Sequence, residues 1–236
     1  MAQQMSFFSA EACRPRVADL AGLLCGPGRT AVFARATARL TVPVADPWRA
    51  NALVRACAER GVRADVVLTP VSAPEPVAEQ APEPDEDPSD AVEDIAEEPE
   101  QDREVPPPSP LLRTAFRADL APLAAAWGDD PVKSVPVGFV PDGAVLRMWV
   151  LAAGHWLDGT YLLPLDPAAP HTHEPLAESL ARSGLPAVIH STRRCAPALR
   201  LTGRRRLARL RELVGPPAGP GCDDQWPAVS RMRAVS

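Results

Sequence analysis

Leu20-Ala-Gly-Leu-Leu-Cys-Gly-Pro-Gly28 and Leu151-Ala-Ala-Gly-His-Trp-Leu-Asp-Gly159 are divergent copies of one nine-residue pattern. Each copy is followed by a second pair of matching stretches, Leu53-Val-Arg-Ala-Cys-Ala-Glu-Arg-Gly61-Val-Arg-Ala64 and Leu176-Ala-Glu-Ser-Leu-Ala-Arg-Ser-Gly184-Leu-Pro-Ala187. These two stretches share Leu, Ala, Gly and Ala at the same offsets. Because self-similarity of this size is the signature of a repeat, the chain is predicted to be an internal duplication.

The nine-residue pattern resembles the motif of the LAGLIDADG family, which contains the homing endonucleases and their non-cutting relatives. The matching positions are Leu20, Ala21, Gly22, Leu23 and Gly28 in the first copy, and Leu151, Ala152, Asp158 and Gly159 in the second. The resemblance implies that each motif forms a helix. It also implies that the two helices pack together at the centre of a saddle-shaped DNA-binding surface.

In this family an acidic residue just before the final glycine lies where a divalent metal can bridge it to a phosphate. That position is Pro27 in the first copy and Asp158 in the second. Cutting both DNA strands ordinarily needs an acidic group from each helix, so the favoured interpretation has no catalytic residue, metal or cofactor. Under the alternative interpretation, Asp158 is the catalytic and metal-binding residue of a Mg²⁺-dependent nicking endonuclease.

Apolar spacing and turn residues predict one element order in both halves, namely helix, two strands, helix, two strands, helix. Together with the resemblance, this order implies an α+β fold of two tandem LAGLIDADG-like αββαββα repeats that form a pseudo-twofold saddle. The first repeat comprises residues 10–70 and 111–130, and the second comprises residues 131–215. Residues 216–236 are predicted to be a flexible tail. The second motif helix is predicted over residues 143–157, and a short edge strand is predicted over residues 171–173.

Residues 71–110 interrupt the first repeat with 14 acidic residues and one basic residue, Arg103. Low hydrophobicity, a single sign of charge and repeated Pro-Glu pairs keep this stretch from burying enough apolar surface to offset its ordering entropy. It is predicted to be a disordered, acidic, Pro-rich insert. The insert is either a solvated linker, a competitor of nucleic acid for a basic surface, or a binding segment for a protein partner. Outside it the chain carries 24 basic and 16 acidic residues, although the whole chain has a net charge of −5.

The stretch from Arg193 to Arg211 contains no acidic residue and eight arginines, namely Arg193, Arg194, Arg200, Arg204, Arg205, Arg206, Arg209 and Arg211. Guanidinium groups match the geometry of phosphate oxygens, so this cluster predicts a nucleic-acid-binding surface on one hairpin and the helix after it. The alternative is that Leu207, Leu210 and Val214 pack a helix whose other face is only solvated or meets a protein.

Other motifs are weak or missing. His171 and His173 have a spacing that zinc can use, but no third ligand follows in sequence, which favours a polar turn. Phosphate-binding loops, nucleophile elbows, dinucleotide-binding loops and zinc-protease motifs are absent from the sequence. The five cysteines form no CxxC pair, and the sequence has neither a signal peptide nor an apolar run of membrane-spanning length. We therefore expect a soluble, cytoplasmic protein with no membrane partner.

Within the LAGLIDADG group, the chain resembles the WhiA-type transcription regulators. Their N-terminal part is a degenerate, non-cutting double LAGLIDADG domain followed by a helix-turn-helix. The sequence after Gly215 has no convincing helix-turn-helix, which removes support for sequence-specific promoter recognition. The favoured function is a non-enzymatic DNA-binding or regulatory scaffold protein, with the acidic insert controlling access to DNA. The alternatives are the nicking endonuclease and a protein-interaction module that no longer binds nucleic acid.

Overall fold

The structure is a computed structural model that describes residues 9–69, 109–128, 132–192 and 195–228. These residues form an α+β fold with two four-stranded antiparallel sheets, as expected for tandem LAGLIDADG repeats. In each sheet the strands lie in the order first, second, fourth, third. The predicted acidic insert lies outside the described residues, apart from its last two positions.

The first half contains α1 (Ala21–Cys25), β1 (Arg29–Phe33), β2 (Thr37–Pro43), α2 (Pro47–Glu59), β3 (Ala64–Thr69), β4 (Ser109–Thr114) and α3 (Ala121–Trp127). The second half contains α4 (Gly143–Ala153), β5 (His155–Leu157), β6 (Thr160–Pro164), α5 (His173–Arg182), β7 (Val188–Thr192), β8 (Cys195–Leu201) and α6 (Arg204–Val214). Short 3₁₀ turns cover Ala10–Ala12, Val17–Leu20, Ala118–Leu120 and Pro170–Thr172. None of the helices within these described ranges is long and apolar enough to cross a membrane.

Strand β2 illustrates how the sheets bury one face. Ala38, Leu40 and Val42 are buried, and they alternate with more exposed residues. Because successive side chains of a strand point to opposite faces, this alternation gives the sheet a core face and an outward face. Strand β4 begins at Ser109, two residues before the first repeat is predicted to resume.

Helices α1 and α4 pack against each other at the centre of the core. Gly22 allows the close approach, because a Cβ atom at this position would lie 2.0 Å from the carbonyl oxygen of Val145 and 2.8 Å from the backbone nitrogen of Trp149. Trp149 is fully buried, and its indole nitrogen donates to the carbonyl of Pro164 at 3.0 Å. The predicted packing of two motif helices is therefore present.

The second motif copy has a different position from the predicted one. Helix α4 ends at Ala153 rather than at residue 157, and strand β5 follows directly after Gly154. Asp158 and Gly159 form the β5–β6 turn with φ of +47° and +74°, so Asp158 is not at a helix end. An Asp-Gly pair between apolar residues is a strong hairpin signal, because both residues tolerate positive φ. The structural counterpart of Gly28, which directly precedes β1, is therefore Gly154.

Two further segments differ from the predictions. Residues 171–173 do not form an edge strand, because a 3₁₀ turn at Pro170–Thr172 leads directly into helix α5. The segment after Gly215 is not a loose tail over its described part, which packs on the core with Cys222 and Trp226 buried. The carbonyl of Trp226 accepts from the indole of Trp156 at 2.9 Å.

Candidate nucleic-acid interface

A cleft of about 740 Å³ lies at the carboxyl-terminal ends of helices α1 and α4. Pro27 and Ala153, which directly precede the equivalent glycines Gly28 and Gly154, both line it. Neither residue has a carboxylate. The position that the resemblance assigns to a metal ligand is therefore non-acidic in both halves, and not in the first half alone.

The carboxyl-terminal end of helix α4 is capped by a buried arginine. The guanidinium group of Arg49 donates to the carbonyls of Val150, Leu151 and Gly154 at 3.1, 2.8 and 2.5 Å. Its Nε also donates to the Asp46 carboxylate at 3.0 Å. These carbonyls lie at the negative end of the helix dipole, where a cation stabilises them. A residue of the first half thus caps the central helix of the second half.

Lys133 is the one lysine of the chain, and it caps helix α1 in the reciprocal manner. Its ammonium group donates to the carbonyls of Gly26 and Gly28 and lies 3.3 Å from the carboxylate of Asp166. Burial lowers the pKa of Lys133, and the attraction of Asp166 opposes that shift. Asp166 is itself buried and lies 3.4 Å from the guanidinium of Arg29, so two cations compensate its charge.

The two helix caps follow one arrangement. In each half a carboxylate after the second strand, Asp46 or Asp166, holds a cation that caps the central helix of the other half. Each helix end therefore contacts a cation. Within the described ranges, no three His, Cys, Asp or Glu side chains are grouped so that they would bind a metal.

The individually predicted candidates for metal binding are dispersed. Asp158 lies in the β5–β6 turn and is not among the residues that line the cleft. His171 contacts the carbonyl of Lys133 at 2.6 Å, and His173 contacts the carbonyl of Asp166 at 2.8 Å. Both histidines therefore contact the backbone of the two residues that form the Lys133–Asp166 ion pair.

The predicted arginine cluster is divided between two surfaces. Arg193 and Arg194 lie outside the described residues. Arg200 lies on β8 between buried Leu199 and Leu201, so it points away from the core, on the outward face of its sheet. The remaining members lie on α6, whose buried side packs through Leu207, Leu210, Leu213 and Val214. Of these arginines, Arg204, Arg205, Arg206 and Arg211 are exposed, and Arg209 pairs with Glu212 at 3.0 Å.

The outward face of the first sheet is a second basic surface, which was not predicted from the sequence. Arg29 on β1 and Arg113 on β4 both lie opposite Thr41 of β2. Arg39 lies two residues before Thr41 on β2, so its side chain is on the same face of the sheet. Asp65 on β3 lies opposite Arg113 and adds one acidic group. No ion pair joins Arg39 or Arg113 to an acid within the described part of the chain. Partial burial lowers the pKa of Arg39, and repulsion from Arg113 adds to this effect.

Comparison with known proteins defines the class of fold. No protein-family model matches the chain, and no curated protein is detectably similar to it. Among solved structures, the homing endonuclease I-WcaI bound to its DNA recognition sequence has a TM-score of 0.52 at 12% identity, over 90% of this chain and 83% of that chain. The chain therefore has a LAGLIDADG homing-endonuclease-like fold.

A second solved structure is also similar. It is the N-terminal LAGLIDADG domain of DUF199/WhiA, with a TM-score of 0.47 at 9% identity, over 95% of this chain and 98% of that chain. The assignment of the fold depends on the first comparison together with the sheet order and the packed central helices.

Proposed function

We propose that this protein binds DNA without cutting it and acts as a regulatory or scaffold protein. The observation that carries the proposal is the outward arginine face of the β1-β2-β4-β3 sheet, where Arg39 and Arg113 form no ion pair within the described residues, although Asp65 lies opposite Arg113. Guanidinium groups spaced along one sheet suit the phosphates of a duplex. The similar structure of I-WcaI was determined with DNA bound, which supports duplex DNA as the ligand.

The proposed binding surface extends over both sheets. We propose that they form the two wings of a pseudo-twofold saddle around the cleft, with Arg200 contributing from the second wing. The exposed arginines of α6 form a separate basic surface, which binds DNA at a second place or a protein partner. A role in transcription regulation, as in the WhiA-type proteins, is part of the same proposal.

The proposed lack of cleavage follows from the helix ends. Pro27 and Ala153 provide no carboxylate, and Arg49 and Lys133 contact the carbonyls of the glycines that follow them, Gly154 and Gly28. A metal-dependent cut needs oxygen ligands for the cation, and these positions do not supply them. The nicking alternative gains no support from the fold, because Asp158 belongs to a hairpin turn.

The acidic insert is proposed to control access to the arginine face. It joins the fold between Thr69 of β3 and Ser109 of β4, two strands of the sheet that carries this face. Its 14 carboxylates provide charge complementary to the arginines. A basic protein that bound the insert would then free the face for DNA.

The test is a binding assay with a labelled duplex, using the full chain and two variants. Arg39→Gln with Arg113→Gln is expected to weaken binding of every sequence alike, because phosphate contacts carry no sequence information. Arg204→Gln with Arg205→Gln and Arg206→Gln is the comparison. Loss of affinity in the comparison variant alone would move the DNA site to α6. If neither the full chain nor a version without residues 71–108 binds the duplex, the protein-interaction module is favoured.

Cleavage is tested on supercoiled plasmid with Mg²⁺ or Mn²⁺. We expect the plasmid to stay supercoiled. Nicking that is abolished by Asp158→Ala would contradict the non-enzymatic proposal and support the alternative.

A further inference from the structure

Two phenylalanine rings are exposed together at one end of the arginine face. Phe33 is 65% exposed and Phe116 is 41% exposed. Their ring centroids are 5.8 Å apart with an angle of 54° between the planes. Phe33 shares the outward face of β1 with Arg29, because the two are four residues apart on one strand. The rings thus continue the basic surface rather than lying apart from it.

The backbone around the rings is constrained. Ala34 and Arg35, directly after Phe33, have φ of +50° and +56°, a left-handed conformation that is unfavourable for non-glycine residues. Arg117, directly after Phe116, is held to Ala38 by two backbone hydrogen bonds of 2.9 Å. The turn and the bridge therefore define the backbone positions next to the two aromatic side chains, both of which are exposed.

The charges around the rings are positive. The guanidinium carbon of Arg39 lies 4.6 Å from the Phe116 ring centroid, over its face. Arg35 is exposed in the adjacent turn, and neither Arg35 nor Arg39 has an acidic partner within the described chain. Arg117 differs, because Asp119 binds it through two hydrogen bonds of 2.8 and 2.6 Å. The neighbourhood therefore offers the exposed ring of Phe33, beside a Phe116 ring that Arg39 covers on one face, together with guanidinium groups that form no ion pair.

We infer that Phe33 and Phe116 form a stacking site for an unpaired nucleobase, so that the protein binds single-stranded nucleic acid at this end of the arginine face. The inference rests on the proposed function and names the form of nucleic acid that this part of the surface takes. Aromatic rings stack on any base, and nearby arginines hold the backbone. A second copy of the chain is a poorer occupant, because association through this face would bring the arginines of two molecules together.

The experiment measures binding of the full chain to a labelled oligothymidylate and to a duplex of equal length, at matched salt. Phe33→Ala is expected to weaken single-strand binding by about 5- to 150-fold, the range for removal of one stacked base. Phe33→Leu keeps an apolar side chain without a ring and is expected to weaken binding as well. Both variants should lose less affinity for duplex DNA than for the single strand, because the proposed duplex binding depends on the arginines. Leu68→Ala is the matched control, because Leu68 is 69% exposed in the same sheet and has no ring.

A base analogue whose fluorescence is quenched by stacking provides a second readout. Quenching by the unmodified chain but not by Phe33→Ala is expected. If all four proteins bind duplex DNA and also bind the single strand with equal affinity, the stacking site is overturned and the proposed function stands. A dimer that Phe33→Ala dissociates, with no effect on nucleic acid, would also overturn it by assigning the rings to self-association. No binding of either nucleic acid would overturn both proposals.

Discussion

At the residue scale, Gly22 sets the distance between helices α1 and α4. A Cβ atom at this position would meet the carbonyl oxygen and backbone of α4, which cannot rotate away as a flexible side chain can. Gly22→Ala is therefore expected to reduce the free energy of unfolding by about 1–3 kcal/mol, the usual cost of overpacking. Urea unfolding measures this change.

Gly26→Ala serves as the control for Gly22→Ala. A Cβ atom at Gly26 would lie 3.4 Å from the carbonyl of Pro164, which is an ordinary contact. Equal stability of the Gly22→Ala variant and the unmodified chain would show that the two helices do not pack as closely as described.

Lys133 makes stability depend on pH. Burial lowers its pKa below 10.5, so between the folded and unfolded pKa values the folded chain binds fewer protons than the unfolded chain. The free energy of unfolding from this group therefore rises with pH up to about 10.5. The neutral variant Lys133→Met with Asp166→Asn should lack this rise in urea unfolding across the alkaline range. Cys57, whose pKa burial raises to about 11, lowers stability above pH 9 in both proteins, so it cancels in the difference. The same pH slope in both proteins would contradict the assignment.

Sequence patterns indicate some of these residues and not others. Arg39 was not predicted, although its outward position in the alternation of β2 is a signal that the sequence contains. The caps by Arg49 and Lys133 were not predictable, because their acceptors are backbone carbonyls of the other half, which no side-chain pattern reports. Asp166 shows the same limit, since only the fold brings it near Lys133.

At the element scale, the β5–β6 hairpin gives Asp158 a structural role. Its φ of +47° is tolerated better by Asp or Asn than by residues that cannot hydrogen-bond locally. Asp158→Ala is expected to reduce the free energy of unfolding by about 1 kcal/mol, and Asp158→Asn is expected to be nearly neutral. Thermal unfolding of the two variants measures this difference. Equal destabilisation in both variants would instead indicate that the carboxylate itself is required.

The elements also show why the second motif was misplaced by five residues. Leu151, Ala152, Asp158 and Gly159 match the family pattern by identity, but Gly154 and the Asp-Gly turn end the helix earlier. The preference of the Asp-Gly pair for a hairpin turn therefore outweighed the match of residue types to the family motif. Helix α6 agrees with the helix predicted after the last hairpin, because Leu207, Leu210 and Val214 form its buried stripe and glycines flank both ends.

At the scale of the whole molecule, the segment after Gly215 joins the two halves. Gly219 and Gly221 approach Arg55 and Trp48 of α2, while Trp226 packs near Arg147 of α4. Its Pro- and Gly-rich composition predicted a loose tail, because composition does not report that a single Trp finds a buried site. The signal that was available is this isolated tryptophan in a Pro- and Gly-rich segment.

Trp226→Ala tests this packing. Trp226 is 3% exposed, and its indole donates to the Gly215 carbonyl at 2.9 Å. Its removal is expected to cost about 3–5 kcal/mol and to lower the melting temperature. Val137→Ala, at a fully exposed position, is the control. An unchanged melting temperature in the Trp226 variant would show that the segment does not contribute to the core.

The salt dependence of duplex binding tests the central claim, that the arginine face contacts DNA phosphates, most directly. The affinity of the full chain should fall linearly on a log–log plot against salt concentration. Arg39→Gln with Arg113→Gln should flatten the slope by about 0.9 for each phosphate that the variant no longer neutralises. An unchanged slope and affinity in this folded variant, or no salt dependence in the unmodified chain, would contradict the proposed DNA interface.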